Sequence, residues 1–319
     1  MVFGGRANPP LAAAIAARLG VELGPIELKT FSNSEVYCRF ETSVRGADVF
    51  LVQPTCGNPD MGISANDALM ELLVMLDAAN GASAHRVVAV IPWLGYSRQD
   101  KKSAPREPIS TRLVARVLES AGVDRVLTMD LHAGQLQGFF QIPVDHMTAM
   151  MLLTRHFQDL GLGDDLVVVA PDAGRAKLNK KFAGRIGAEL ALLDKDRPEH
   201  QVARIANVIG DVAGKTAIIV DDMIDTAGTL CAAGEAVLDA GASRVYAAAT
   251  HAVFSGNAFE NLASAPFERI VVTDTVPARA GTPANVEIVS CADLFGDSVQ
   301  KIFTGESVSE VFEGQNQVF

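Results

Sequence analysis

Acidic and hydroxyl-bearing residues are concentrated in VDDMIDTAGT, Val220–Thr229, in the second half of the chain. The apolar run TAIIV before this stretch predicts a β-strand, and LCAAGEAVLDA after it has the apolar spacing of a helix. A turn of small residues between a strand and a helix can direct several backbone N–H groups at one anion, helped by the partial positive charge of the helix N-terminus. We therefore predict a cradle for a phosphate monoester over Asp225, Thr226, Ala227, Gly228 and Thr229.

Two further carboxylates, Asp221 and Asp222, stand at the end of the predicted strand. Ionised carboxylates repel phosphate but accept hydrogen bonds from the vicinal hydroxyls of a sugar, and a bound Mg²⁺ offsets their charge. The whole motif therefore predicts a ribose 5-phosphate or phosphoribosyl site. The alternative is an acidic strand end capped by Asp225 and Thr226, which is common for an isolated pair of aspartates but not for the combined string.

Short apolar, β-branched runs recur along the chain and alternate with helix-like segments, which predicts parallel α/β sheets. The runs are Asp48–Gln53, Arg86–Pro92, Arg125–Asp130, Asp165–Pro171, Thr216–Asp222, Arg244–Thr250 and Arg269–Asp274. Several of them end in an acid or a proline followed by small residues, as in MDLHAG, APDAG and VDDMIDTAG. This end of a strand is the sheet edge at which α/β proteins bind ligands.

Helical spacing of apolar residues predicts helices over Leu11–Leu19 and Ala68–Ala79, and it places Met70, Met75 and Leu76 in the core. These helices carry no predicted chemistry.

A chain of 319 residues exceeds what one hydrophobic core usually serves. Since the strand-and-acidic-turn design recurs in both halves, we predict two similar α/β domains, residues 1–147 and 148–319. The C-terminal tail of the second is expected to be able to pack back on the first.

The composition excludes several classes of protein. A net charge of −11 argues against a protein that coats nucleic acid, because such binding depends on Lys and Arg neutralising phosphates. The four cysteines form no CxxC pair, so the sequence indicates neither a zinc site nor a disulfide framework. This pattern fits a reducing compartment best. Arg18 interrupts the only apolar stretch near the N-terminus, so we predict neither a signal peptide nor a membrane span, and a cytoplasmic protein.

VDDMIDTAGT resembles the phosphoribosyl-binding loop shared by type I phosphoribosyltransferases and ribose-phosphate pyrophosphokinases. Trp93–Ser110 and Met129–His146 resemble the ATP-facing and metal-bearing segments of the pyrophosphokinases, which the transferases lack. The resemblance runs from about Val2 to Phe312 and implies two phosphoribosyltransferase-like α/β domains. It also implies the reaction, in which the β,γ-diphosphate of ATP moves to the anomeric hydroxyl of ribose 5-phosphate, giving AMP and 5-phosphoribosyl 1-diphosphate for nucleotide biosynthesis.

The resemblance also implies roles for individual residues. The ATP contacts would be Phe31, Asn33, Ser34 and Glu35 of FSNSE, together with Arg98 and Gln99. Phe31 would stack on adenine across an interface between subunits of a homo-oligomer, commonly a hexamer. His132 and Asp172 match the family's Mg²⁺ positions; because Mg²⁺ prefers oxygen to imidazole, His132 would act partly through a bridging water, and a lone histidine is more often structural.

Lys195 and Arg197 match the catalytic-loop cations of the family, and Arg197 would also contact ribose 5-phosphate. They lie in Leu193–Ala206, a polar segment with Pro198 and no clear apolar period, which predicts a mobile loop. Fixed cations there would stabilise the charge that grows on phosphoryl oxygens in the transition state. Without the resemblance, the more common interpretation of two cations in a polar loop is that they are solvated surface charges.

Four residues depart from the family pattern. Asn33 and Ser34 stand where Asp and Gly are usual, Arg175 replaces a glycine, and Asp196 replaces a residue that is often basic. Arg175 would add charge for phosphate or lie on the surface, and the sequence leaves both open. The departures raise the alternative of a non-catalytic family member that regulates an active pyrophosphokinase. A type I phosphoribosyltransferase is the other alternative, although RQDKK and LHAGQ count against it.

Overall fold

The computed structural model describes the backbone of residues 1–199 and 202–312, and the side chains of residues 1–194 and 207–312. The described chain forms two compact units. Unit 1 consists of residues 1–148, 275–279 and 290–312, and unit 2 of residues 149–274 and 280–289. The division into domains at 147/148 stays a prediction.

Strands and helices alternate through most of the described chain. The strands are β1 (Val2–Gly4), β2 (Ile26–Thr30), β3 (Val36–Phe40), β4 (Asp48–Val52), β5 (Arg86–Ile91), β6 (Arg125–Met129), β7 (Val144–Met147), β8 (Leu166–Ala170), β9 (Glu189–Glu199), β10 (Val202–Ile209), β11 (Thr216–Ile224), β12 (Arg244–Ala252), β13 (Phe267–Thr273) and β14 (Val286–Val289). The helices are α1 (Pro9–Arg18), α2 (Ala65–Gly81), α3 (Ser110–Ser120), α4 (Met150–Asp159), α5 (Ala176–Ile186), α6 (Gly228–Asp239), α7 (Ala258–Ser264) and α8 (Ala292–Thr304).

Unit 1 is built on a parallel five-stranded sheet in the order β1-β4-β5-β6-β7. Its central strands are apolar on both faces, as the fully buried run Val87–Ile91 of β5 shows. Such a run is typical of a parallel sheet covered by helices on both sides. β2 and β3 form a separate antiparallel ribbon.

Helix α2 shows how the sequence builds this layer. Ser64 accepts a hydrogen bond from the N–H of Asp67, whose carboxylate accepts one from the N–H of Ser64, and this capping box starts the helix. Met75 and Leu76 are fully buried, as predicted. The prediction that Met70 belongs to the core is wrong: its side chain is 50% exposed, because it falls between the i, i+3, i+4 positions that face the sheet.

Unit 2 contains a seven-stranded sheet in the order β10-β9-β8-β11-β12-β13-β14. Its strands are parallel except for β10, which runs antiparallel to β9. The α/β fold with mainly parallel sheets is therefore confirmed, and every predicted strand lies on an observed one with ends that differ by no more than two residues.

The prediction of a loop over Leu193–Ala206 is wrong in its secondary structure. Over the described residues of this segment, 193–199 and 202–206, β9 and β10 pair as an antiparallel ribbon at the edge of the sheet, with Lys195 opposite Ile205 and Asp196 opposite Arg204. Backbone hydrogen bonds hold such a ribbon without the buried apolar face by which a strand is recognised in a sequence. The polar composition of the segment therefore gave no strand signal.

His132, Asp172 and Asp225–Thr229 follow the carboxyl ends of β6, β8 and β11, which is where parallel sheets place ligand-binding loops. Among the described residues, no helix is both long enough and apolar enough to cross a bilayer.

Candidate functional site

The predicted sugar-phosphate segment lies in unit 2, where β11 leads into α6. β11 continues through Asp221 and Asp222 and pairs with β12 as far as Ile224. The turn then takes three residues before α6 begins at Gly228. The backbone thus has the predicted order of strand, tight turn and helix N-terminus, and the acidic pair lies within the last residues of the strand.

The turn ends at Ala227, which has a left-handed backbone with φ of 64°. This conformation lets the chain enter the helix abruptly, although it costs a residue with a side chain about 1–2 kcal/mol. The first N–H groups of a helix have no partner within it, and Thr226, Gly228 and Thr229 are exposed. Backbone donors and hydroxyls are therefore accessible to an anion at this turn.

The carbonyl groups of the turn are occupied by donors from the segment that follows β12. Ile224 and Asp225 accept hydrogen bonds of 3.0 Å from the N–H groups of residues 254–255. The carbonyl of Thr226 accepts one of 2.8 Å from Nδ2 of Asn261. Carbonyl oxygens repel an anion unless other donors engage them. At this turn three successive carbonyls already accept hydrogen bonds, so they do not oppose a bound anion.

Asp221 and Asp222 form an acidic pair whose side chains are 32% and 6% exposed. The N–H of Asp222 donates to Oδ1 of Asp221 at 2.8 Å. Burial and the neighbouring carboxylate of Asp222 raise the pKa of Asp221 well above its ordinary value, although the charge of Arg175 acts in the opposite direction. Two carboxylates this close need a cation to remain ionised together.

Arg175 is a further functional candidate, and the sequence did not reveal that it pairs with Asp221 and Asp222. Its Nη2 lies 2.5 Å from Oδ2 of Asp222, its Nε lies 3.5 Å from Oδ1 of Asp221, and its side chain is only 13% exposed. The signal available in the sequence was a cation three residues after Asp172, at the end of β8, together with an acidic pair at the end of β11. These two strands are parallel neighbours.

Asp172 begins the short 3-10 turn Ala173–Arg175 that follows β8. Its Oδ1 accepts a hydrogen bond of 3.2 Å from the N–H of Arg175, which fixes the direction of the carboxylate. A carboxylate has about four acceptor positions, so this bond leaves capacity for a cation. A hard oxygen donor oriented in this way fits Mg²⁺.

In unit 1, the FSNSE segment forms the turn between β2 and β3. The N–H of Phe31 donates to the carbonyl of Glu35, and the N–H of Ser34 donates to the carbonyl of Phe31, both at 2.8 Å. Oδ1 of Asn33 accepts from the N–H of Glu35 at 3.2 Å, a role that an aspartate at this position would also fill. Ser34 has φ of 72°, the region that glycine adopts without strain.

Phe31 is 45% exposed at this turn. Its ring meets the ring of Tyr37 edge-on, with centroids 5.7 Å apart, and Nζ of Lys29 lies 4.5 Å from the centre of the Tyr37 ring. An exposed aromatic ring can stack on a nucleobase.

A buried ion pair connects this ribbon to α2. Nε of Arg6 lies 2.5 Å from Oε2 of Glu71, which is 1% exposed, and Nη2 of Arg6 donates to the hydroxyl of Thr30 at 3.0 Å. Gln53 donates a further hydrogen bond of 3.0 Å to Glu71. Through its hydrogen bond with Thr30 and its ion pair with Glu71, Arg6 connects the residue before Phe31 to the core of unit 1.

Arg98 and Gln99 are exposed in the segment that follows β5. The N–H of Gln99 donates to the carbonyl of Tyr96 at 3.0 Å, and Oε1 of Gln99 accepts from the hydroxyl of Ser110, the first residue of α3. The next residue, Asp100, accepts a hydrogen bond of 2.9 Å from Gln135. Hydrogen bonds with residues far away in the sequence therefore fix the position of this segment.

His132 lies just beyond β6 and is half-buried. The backbone before it is strained, since Asp130 has φ of 36° and is 8% exposed. The N–H of Asp130 donates to the carbonyl of Met147, and the N–H of Leu131 donates to Nε2 of His146, both at 2.9 Å. Strain that the surroundings hold in place is common at functional sites.

The structure places the nucleotide candidates and His132 in unit 1, and the sugar-phosphate candidates and Asp172 in unit 2. The side chains of Lys195 and Arg197 lie outside the described residues. Over the described part of the chain, no three or more His, Cys, Asp and Glu side chains form a group that could hold a metal ion. The predicted pair of His132 and Asp172 is smaller than such a group and stays a prediction.

Two family models match this chain. Residues 1–122 match the N-terminal domain of ribose phosphate pyrophosphokinase, and residues 198–313 match the phosphoribosyl synthetase-associated domain.

Curated relatives and a solved structure match the chain over nearly its full length. A ribose-phosphate pyrophosphokinase of Chlorobaculum tepidum is 46% identical, covering 99% of this chain and 95% of its own. A protein of the same name from Caldanaerobacter subterraneus is 48% identical, covering 98% and 97%. The crystal structure of phosphoribosylpyrophosphate synthetase from Mycobacterium smegmatis has a TM-score of 0.88 and 40% identity, covering 96% of this chain and 99% of that one.

Proposed function

The chain belongs to the ribose-phosphate pyrophosphokinase family, and we propose that it is the enzyme that transfers the β,γ-diphosphate of ATP to the anomeric hydroxyl of ribose 5-phosphate. The products are AMP and 5-phosphoribosyl 1-diphosphate, a precursor for nucleotide biosynthesis. The observation that carries the proposal is the continuous path in unit 2 from the Asp221–Asp222 pair at the end of β11 into the anion-binding turn of α6.

This path suits ribose 5-phosphate because the two ends of the ligand need different chemistry. The phosphate needs the donors and hydroxyls of Asp225–Thr229, where the carbonyl groups are already occupied. The 2- and 3-hydroxyls need acceptors, and Asp221 and Asp222 supply them. With both ends held, the anomeric hydroxyl is directed at the diphosphate donor, and such positioning accounts for a large part of the acceleration in phosphoryl transfer.

The transfer forms a bond between the anomeric oxygen and the β-phosphorus of ATP. The bond from the β-phosphorus to the bridging oxygen on the α-phosphorus breaks, AMP leaves, and the hydroxyl proton is released. Negative charge increases on the phosphoryl oxygens as the bridge breaks, and we assign its stabilisation to Lys195 and Arg197. Arg197 also contacts ribose 5-phosphate in this proposal.

For ATP, we propose contacts from Phe31, Asn33, Ser34, Glu35, Arg98 and Gln99. The exposed ring of Phe31 supports stacking on adenine, and the exposed guanidinium of Arg98 suits a phosphate. The hydrogen bond that the Glu35 N–H donates to Oδ1 of Asn33 preserves the turn in the absence of the usual aspartate. The full-length relatives that are named ribose-phosphate pyrophosphokinase favour a catalytic over a regulatory member of the family.

Family membership implies a metal ion, and we propose Mg²⁺ with contacts from Asp172 and His132. The carboxylate of Asp172, oriented by the N–H of Arg175, fits the ion better than the imidazole does. Mg²⁺ would supply charge neutralisation at the phosphate oxygens.

We also propose a homo-oligomer, a hexamer as is common in the family, located in the cytoplasm and binding neither nucleic acid nor a membrane. The four cysteines are free thiols, which supports a reducing compartment. The net charge of −11 disfavours nucleic acid.

The test is an assay of the purified chain with ribose 5-phosphate, ATP and Mg²⁺ that quantifies AMP and 5-phosphoribosyl 1-diphosphate, with each component omitted in turn. We expect the two products in equal amounts and only when all components are present. Binding of both substrates without products, beside an active relative as a control, would instead support the regulatory member. A reaction that consumes 5-phosphoribosyl 1-diphosphate and a base without ATP would support the phosphoribosyltransferase.

A further inference from the structure

The side chain of Asn179 connects the backbone of Arg175 to β11, the strand that carries the acidic pair, by hydrogen bonds. The carbonyl of Arg175 accepts a hydrogen bond of 3.1 Å from Nδ2 of Asn179, and the same amide nitrogen donates to the carbonyl of Val220 at 3.1 Å. Asn179 is completely buried, and Val220 directly precedes Asp221. The start of the Arg175 side chain is therefore fixed relative to the pair before any ligand binds.

The guanidinium group is held against both carboxylates. Nη2 lies 2.5 Å from Asp222, Nε lies 3.5 Å from Asp221, and 87% of the side chain is removed from solvent, since 13% is exposed. This burial excludes the surface role that the sequence left open. The contacts with two carboxylates assign the guanidinium to the acidic pair.

The charge balance explains why a fixed cation matters here. Two ionised carboxylates carry two negative charges, and ribose 5-phosphate adds more, so an uncompensated pair would repel its own ligand. One guanidinium cancels one of these charges without occupying every acceptor position, because a carboxylate has about four. Arg175 and a sugar hydroxyl can therefore share Asp222.

We propose that Arg175 is a positioning residue for the sugar, the built-in counter-ion that orients the Asp221–Asp222 pair and lets it accept the hydroxyls of ribose 5-phosphate without a divalent cation at the pair. The inference rests on the proposed function, which assigns the sugar to this pair. A relative with glycine at this position would lack the counter-ion and depend more strongly on the metal for sugar binding.

The test measures ribose 5-phosphate binding by calorimetry with the full chain, without ATP, in EDTA and across a Mg²⁺ titration. In EDTA, Arg175→Ala is expected to raise the Kd for ribose 5-phosphate by at least about tenfold, because it removes one partner of a buried charge pair. Added Mg²⁺ should recover most of that loss in the variant while changing the wild type little. The exposed Lys180 of α5 offers a matched control, and Lys180→Ala should bind as the wild type does.

Arg175→Lys and Arg175→Gln separate charge from packing and also serve if Arg175→Ala does not fold. Arg175→Lys should bind ribose 5-phosphate more tightly in EDTA than Arg175→Gln does. Equal binding by these two variants, or binding by a folded Arg175→Ala that equals or exceeds that of the wild type, would overturn the inference. If the wild type forms both products in the assay but does not bind ribose 5-phosphate without ATP, the proposed function stands and the inference falls; if it neither binds the sugar nor forms products, both fall.

Discussion

The sugar-phosphate segment of unit 2 and the nucleotide segments of unit 1 are assembled in different ways. In unit 2 the candidates are nearly consecutive, from Asp221 to Thr229, and one strand-turn-helix connection places them. In unit 1 the nucleotide candidates come from the β2–β3 turn and from the segment after β5, and His132 comes from the loop after β6. The comparison teaches that local backbone geometry suffices for the first site, whereas the second depends on contacts between distant parts of the chain.

Removing the acidic pair should have the largest effect. Asp221→Asn combined with Asp222→Asn is expected to lower kcat/KM for ribose 5-phosphate about 10³-fold, a loss of about 4 kcal/mol in transition-state stabilisation. The KM for ATP should change little, since the nucleotide candidates belong to unit 1. Steady-state kinetics with each substrate varied in turn measures both effects.

A second aspartate pair in unit 2 provides the control. Asp164 and Asp165 are exposed just before β8, and Asp164→Asn with Asp165→Asn should leave both parameters unchanged. Equal losses from the two double variants would mean that the acidic pair of β11 has no special role.

The distant contacts of unit 1 should respond to loss of Arg6. Arg6→Ala leaves Glu71 buried without its cation, which is expected to cost about 3 kcal/mol of stability. Because Arg6 also holds Thr30, the KM for ATP should rise severalfold while the KM for ribose 5-phosphate does not. Denaturant unfolding and the two KM values test this expectation.

Arg18 supplies the matched control for this prediction. It pairs with Asp297 at the surface, where the two side chains are 46% and 44% exposed, so Arg18→Ala should cost no more than about 1 kcal/mol. Unit 1 does not depend on the buried pair if the two variants are equally stable.

The same contrast between local and distant contacts decides what the sequence could predict of the fold. The central strands were found because burial on both faces makes them continuous apolar runs. The unpredicted strands include β1, β7, β10 and β14, which are the four edges of the two sheets. Edge strands bury less and are often short or polar, so their sequences have little signal.

For the candidate site, local motifs identified Asp221–Thr229 and the turn that holds them. They did not identify the partner of Arg175 or the pairing of Arg6 with Glu71, because these contacts join residues that are far apart in the sequence. Nor did they show that Asn33 preserves a backbone hydrogen bond. A contact made across several elements is set by packing, and a single sequence does not record it.

The raised pKa of Asp221 predicts a conflict between stability and function in unit 2. When the pKa of a carboxyl is higher in the folded than in the unfolded state, its favourable contribution is present below the unfolded pKa and is lost as the pH rises through the folded pKa. At pH 7, Asp221→Asn should therefore give a higher free energy of unfolding than the wild type, although it binds ribose 5-phosphate more weakly.

Guanidinium denaturation at pH 7 and at pH 4 checks the sign, and the advantage of the variant should shrink at the lower pH. A variant less stable than the wild type at pH 7 would show that the charge of Arg175 outweighs burial and the repulsion from Asp222.

The smallest effect is expected at the two left-handed turn residues, Ser34 in unit 1 and Ala227 in unit 2. Ser34 is exposed, so Ser34→Gly removes strain without losing packing and should stabilise the protein by up to about 1 kcal/mol. Ala227 is 5% exposed, so Ala227→Gly also loses about 0.8 kcal/mol of stabilisation from the buried methyl group. This loss offsets the relief of strain, and the free energy of unfolding should change little. Denaturant unfolding of both variants measures the difference, and a larger gain at Ala227 would mean that the anion-binding turn, rather than the nucleotide turn, is the more strained of the two.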